Sequence, residues 1–177
     1  MRFVQFCGLG IFFCSVSLLL AGGIGGPKKE DVPKYMKQLE STNAAERAKA
    51  AEMLGKRGGI NSKDVEGAVE PLQMMLKKDK DAKVRAASAR ALGDIRMDSE
   101  GTVPILIDRL KSDSEAKDVK MAVVVALGQF GPDSKDALPK LREMLAKFDT
   151  KAAKKGAEAG TIKAAIENIS GVKKKKN

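Results

Sequence analysis

The chain has 177 residues, enough for one domain of ordinary size, and carries a formal net charge of +10. It has no histidine, no tryptophan and two cysteines, Cys7 and Cys14, both in its first stretch. Beyond that stretch, thiolate nucleophiles, imidazole bases and the usual zinc ligand sets are excluded. Carboxylates, lysines and hydroxyls remain for any chemistry, so most enzyme classes are disfavoured.

The opening "MRFVQFCGLGIFFCSVSLLLAGGIGG" has a single charged side chain, Arg2, and then stays largely apolar to Ala21. A basic start, an apolar run and small residues behind it are the parts of a secretory signal peptide. Ala21 and Gly23 meet the small-x-small demand of signal peptidase, which places cleavage after residue 23. Two alternatives stay open. Residues 3–24 are long enough for an uncleaved anchor, since a span takes roughly 20 apolar residues, although Gly8 and Gly10 suit that role poorly. A lipid-bearing Cys14 is the other, opposed by Phe13 before it and by the apolar run continuing past it. The expectation is a periplasmic or secreted protein, with anchoring through residues 3–24 as the alternative. The exported chain would have no thiol left to form a disulfide, even in an oxidising compartment.

Residues 24–31 read as a short polar linker, and a helical pattern begins at Val32. Four segments then align: "VPKYMKQL" from Val32, "VEPLQMML" from Val69, "VPILIDRL" from Val103 and "LPKLREML" from Leu138. Their starts lie 37, 34 and 35 residues apart. Each has apolar residues at its first, fourth and last positions, one face of a helix. Pro33, Pro104 and Pro139 fill the second position and Pro71 the third, places read as first-turn positions where proline is tolerated.

A second, alanine-rich helix follows each. "VRAASARALGDI" from Val84 and "VKMAVVVALGQF" from Val119 carry one apolar stripe, repeated 35 residues later. Gly55, Gly93 and Gly128 each follow a leucine near the helix end, where a missing side chain allows close approach or a turn. Asn43 with Glu46 reads as a capping box for the first of these helices. The glycine-rich "GKRGGINSKDVEG", Gly55 to Gly67, reads as a long loop able to protrude.

Helix pairs repeating every 34–37 residues are the signature of an α-solenoid. The pattern V-R-x-x-A/S-x-x-A-L-G resembles the HEAT repeat, especially the short HEAT-like variety associated with phycobilin lyases. The resemblance covers about residues 32–169 and implies an all-α, short right-handed solenoid of about four hairpins behind an N-terminal signal helix. The repeats fall at about 32–57, 66–96, 102–131 and 136–169, with a basic tail at 170–177. Small side chains let neighbouring helix axes approach towards the lower end of the usual separation of about 8–10 Å. Lys49 and Arg57 in the first repeat, and Lys154 and Glu158 in the last, replace apolar or small residues of the central repeats, which reads either as terminal caps or as a shift of register at the ends.

Arg47, Arg85, Lys120 and Lys155 occupy equivalent places in this alignment and form a basic ladder. The ladder admits two readings, a groove for an acidic partner or a structural ion-pair ladder. The HEAT resemblance implies the second, with an acidic residue six positions before each base. Asp79 and Asp149 fit that spacing, whereas Ser41 and Ser114 depart from it. Lys83, Arg85, Ala86, Ala89 and Arg90 lie off the apolar stripe and are expected on the concave face, which solenoids use for binding.

Removing the signal leaves 32 basic against 23 acidic residues, a net charge of +9, and +5 without Lys173 to Lys176. That tail can assist adhesion to anionic lipid at about 1 kcal/mol per lysine but does not anchor the protein. Tyr35, Phe130 and Phe148 are the aromatic residues beyond the signal, too few for base-stacking platforms, so nucleic acid is not the expected partner. The expected function is an exported, non-enzymatic interaction module without metal, cofactor or catalytic residues, binding a protein or extended peptide that is acidic in part. The alternatives are a relative of the bilin lyases, implied by the resemblance alone, and a subunit of a larger envelope assembly.

Overall fold

The structure is a computed structural model that describes residues 26–148 and 156–171. The expected signal at 1–23 and the tail lysines Lys173 to Lys176 lie outside the described residues. Among the described residues every regular element is helical, and no helix is long and apolar enough to cross a membrane. Among the described residues eight α-helices form four antiparallel hairpins: α1 (Val32–Gln38) with α2 (Ala44–Ile60), α3 (Val69–Lys78) with α4 (Ala82–Ile95), α5 (Ser99–Lys111) with α6 (Lys117–Phe130), and α7 (Leu138–Ala146) with α8 (Ala157–Ser170).

The second helices make one continuous layer, α2 against α4, α4 against α6 and α6 against α8. The first helices touch one another far less, so the two layers are unequal. The sequence causes this difference. A Cβ added at Gly55 would lie 2.7 Å from the Cα of Ala91, one at Gly93 2.7 Å from that of Ala126, and one at Gly128 3.0 Å from that of Ala165. Each seam is a glycine of one helix pressed on an alanine backbone of the next. Val84 and Val119 are fully buried at the start of their helices, with Leu92 and Leu127 two turns on. Leu72, Leu76, Leu106, Leu110 and Leu141 fill the space between layers, each worth roughly 1.5–3 kcal/mol of burial.

Several sequence expectations change in detail. Helix α2 runs on through Gly59 to Ile60, and residues Ser62–Ala68 form a 3-10 turn whose Val65 is buried, so Gly55 to Gly67 does not protrude as a loop. The reason is Gly58, whose missing side chain makes room for Ile95 and Val65. Helix α5 begins at Ser99, capped by Asp98, which leaves Pro104 inside the helix rather than in its first turn. Asn43 does cap α2, accepting from the Ala45 N–H at 2.9 Å. Glu46 does not complete the box, because its carboxylate takes the Ser41 hydroxyl at 2.6 Å.

The last repeat has a different register. The seam contact moves from Ala126 to Ala165, a spacing of 39 residues where the sequence alignment used 35. Ala159 therefore stands where Lys155 was expected, and Ile162 rather than Glu158 is the counterpart of Ser88 and Val123. Lys154 and Lys155 themselves lie outside the described residues. The linker is also more structured than its composition implies, since Pro27 is buried and Lys29–Asp31 form a 3-10 turn.

Candidate functional site

The basic ladder is built between repeats. Arg47 on α2 donates from Nε to Asp79 at 2.8 Å and from Nη2 at 2.9 Å, while its Nη1 reaches the backbone oxygens of Ser41 and Thr42. One repeat on, Arg85 donates from Nη2 to Glu115 at 2.7 Å, and its Nη1 reaches the carbonyls of Asp79 and Lys80. Both arginines therefore tie the loop of their own hairpin to an acid of the next. The Asp79 carboxylate also accepts the Asp81 N–H at 2.9 Å, and Glu115 accepts the Ala116 N–H at the same distance. Burial pushes both carboxyls upward. The arginine bond, the backbone N–H and the nearby cationic charges together outweigh it and hold both below the ordinary carboxylate range. Arg47 is raised correspondingly, first by its bond to Asp79.

This geometry accounts for the break at Ser114. The acid has moved one residue along, to Glu115, so a search at fixed spacing passes it by. Arg47 and Arg85 are thus joints between repeats, and their guanidinium groups are not displayed for a ligand. Lys120 holds the third rung, half-buried on α6.

The exposed face of the second-helix layer contains a groove of about 610 Å³ between α2 and α4. Lys83, Ala87, Arg90 and Asp94 line it from α4, and Lys49, Glu52 and Lys56 from α2. Of the residues expected on the concave face, Lys83 and Arg90 are there, exposed. Ala86 and Ala89 are not: they are 4% and 0% exposed, because α4 is enclosed by α2, α3 and α6 and spends its small faces on packing. Ala87, one position away from Ala86, is the alanine that reaches the groove.

The charges in the groove are unevenly matched. Glu52 is bound by Lys56 at 2.6 Å and by Lys49 at 3.2 Å, and the first contact does most to hold its carboxyl below the usual range. Asp94 accepts the Gln129 amide at 2.8 Å, which laces α4 to α6. Among the described residues, Lys83 and Arg90 have no carboxylate partner. The place of Arg90 on the next repeat is taken by Val125, 40% exposed, so this cation is not repeated along the stack. No cluster of three or more acidic, cysteine or histidine side chains suited to a metal occurs among the described residues.

Tandem helical hairpins joined by a continuous inner layer define an α-solenoid. Within that class, the model for HEAT repeats matches residues 32–117 and again 69–160, and the chain belongs to the HEAT-repeat family. Among solved structures it is similar to an engineered protein, a structural-genomics target, with 25% identity and a TM-score of 0.57 over 80% of this chain. The chain spans 63% of the length of that engineered protein. Comparison with the curated proteins finds no match.

Proposed function

We propose that this protein is an exported, non-enzymatic scaffold that holds a partly acidic protein or extended peptide in the groove between α2 and α4. The observation that carries this reading is the pair Lys83 and Arg90, two exposed cations on a rigid helix with no carboxylate partner among the described residues. The flanking cluster of Lys49, Glu52 and Lys56 keeps one net positive charge, and Ala45, Ala48 and Ala87 line the groove with small side chains that leave room for an extended chain. HEAT-repeat membership supports a scaffold, since stacked repeats present extended surfaces for macromolecules. The export component rests on the pattern of residues 1–23.

The test is capture from an envelope fraction with the purified protein as bait. The double reversal Lys83→Glu/Arg90→Glu is expected to lose the partner that the parent protein captures, with helicity by circular dichroism unchanged. Lys111→Glu, an exposed reversal outside the groove, is expected to retain it. Equal capture by the double variant refutes the groove. N-terminal sequencing of the protein from its native source tests export, and a start at Ile24 is the expected result.

A further inference from the structure

A second concavity, of about 300 Å³, lies between the third and fourth repeats, away from the α2–α4 groove. Its floor is apolar, formed by Met121, Met144, Phe148 and Ile162. Lys120 lines the same space, and the ladder shows what this position binds elsewhere. Its counterparts Arg47 and Arg85 each hold a carboxylate of the following repeat, at 2.8 and 2.7 Å. Among the described residues Lys120 holds none. The neighbouring lysines are engaged: Lys117 with Glu158 at 2.6 Å and Lys140 with Glu143 at 3.0 Å. Among the described residues a half-buried lysine thus stands beside a floor of two methionines and a phenylalanine without a carboxylate bond. Methionine fits itself to irregular apolar shapes, and this volume falls at the small end for ligand sites, roughly 300–1,000 Å³.

We infer that this pocket binds a small amphipathic carboxylate, with the acid on Lys120 and the apolar body on Met121, Met144 and Phe148. Charge and shape both argue for it. The cation selects an anion, a planar acid matches what the two preceding rungs hold, and the floor needs an apolar group to cover it. Asp113 and Glu115 also line the space. Glu115 is already neutralised by Arg85, and Asp113 at the exposed rim disfavours dianions, which leaves monocarboxylates as the class. The inference does not depend on the α2–α4 groove, and its test reads other residues.

The full chain, labelled at its methionine methyl groups, is titrated with decanoate and, separately, with decanol, while the methyl resonances are followed by NMR. The expected result is saturable movement of Met121 and Met144 with decanoate and at least about tenfold weaker binding of decanol, as loss of a charge-assisted bond implies. Lys120→Met is expected to weaken decanoate binding by a similar factor and Lys120→Arg to preserve it. Met144→Gln, a substitution on the floor, weakens both ligands and covers the case in which a Lys120 variant folds poorly. Equal binding of decanol, or full binding by a folded Lys120→Met, overturns the proposal. So does Asp149→Asn moving the same two methyl resonances without ligand, which would assign the acid on Lys120 to the chain itself.

Discussion

Replacing Gly93 by alanine tests the seam architecture most directly, because helix propensity and packing pull in opposite directions there. In an open helix the substitution stabilises by about 1 kcal/mol. At Gly93 the new methyl would lie 2.7 Å from the Cα and 2.9 Å from the Cβ of Ala126, and it would also meet the Gln129 amide oxygen. Gln129 can swing aside at the expense of its bond to Asp94, but the backbone of α6 cannot. Reaching an ordinary contact of 3.4 Å requires α4 and α6 to part by about 0.7 Å. Overpacking of this kind costs about 1–3 kcal/mol, so the net effect is a loss of roughly 0–2 kcal/mol once the propensity gain is subtracted. For a chain of this size each kcal/mol lowers Tm by roughly 2–4 °C. Gly160→Ala, on α8 with nothing within 4 Å, is the internal control and is expected to raise Tm. Gly128→Ala, at 3.0 Å from Ala165, falls between them. Thermal unfolding followed by circular dichroism measures all three. If Gly93→Ala stabilises as much as Gly160→Ala, glycine is not what lets these helices approach.

Arg85→Met leaves Glu115, whose side chain is 2% exposed, with Arg109 at 3.8 Å as its remaining cation. A loss of about 3 kcal/mol is expected in urea denaturation, with most of it recovered in Arg85→Met/Glu115→Met, as for other buried pairs broken on one side or both. The same ladder predicts a pH dependence. The folded-state pKa values of Asp79 and Glu115 lie below their ordinary values, so their contribution is complete above the carboxylate range and is lost as pH falls through the folded values. Acid titration of stability below about pH 4 should therefore be steeper for the parent protein than for Asp79→Asn/Glu115→Gln; equal slopes would remove the ladder as its cause. Asn43→Ala removes the cap of α2 and should lower stability by about 1 kcal/mol, measured the same way.

The solenoid was legible in the sequence because a repeated unit writes its core pattern more than once. Val84 and Val119, 35 residues apart and both fully buried, sit on the stripe that periodicity alone defines. The candidate site was legible in part. Lys83 and Arg90 lie where exposed helix positions put them, but Ala86 and Ala89 were misplaced. On a helix packed on three sides, small residues off the main stripe serve secondary seams, and a single-stripe reading assigns them to solvent. The fourth place of the ladder was misread for another reason. The fourth hairpin has the longer 39-residue spacing, and a fixed repeat length carries Lys155 onto the place of Ala159. The role of Glu115 was invisible because the loop before α6 sets its acid one residue later than the loop before α4. A signal was present nonetheless: Glu115 is the first acid before that helix, next to a serine at the expected place.

The unequal layers also govern how the molecule yields to load. Glycine–alanine seams along α2, α4, α6 and α8 cannot slide without backbone collisions, whereas α1, α3, α5 and α7 have room to shift against one another. Flexing therefore pivots on the inner face as on the spine of a book, while the outer edge fans open or shut. Points on that spine therefore keep nearly constant spacing, whatever strain the rest of the body absorbs.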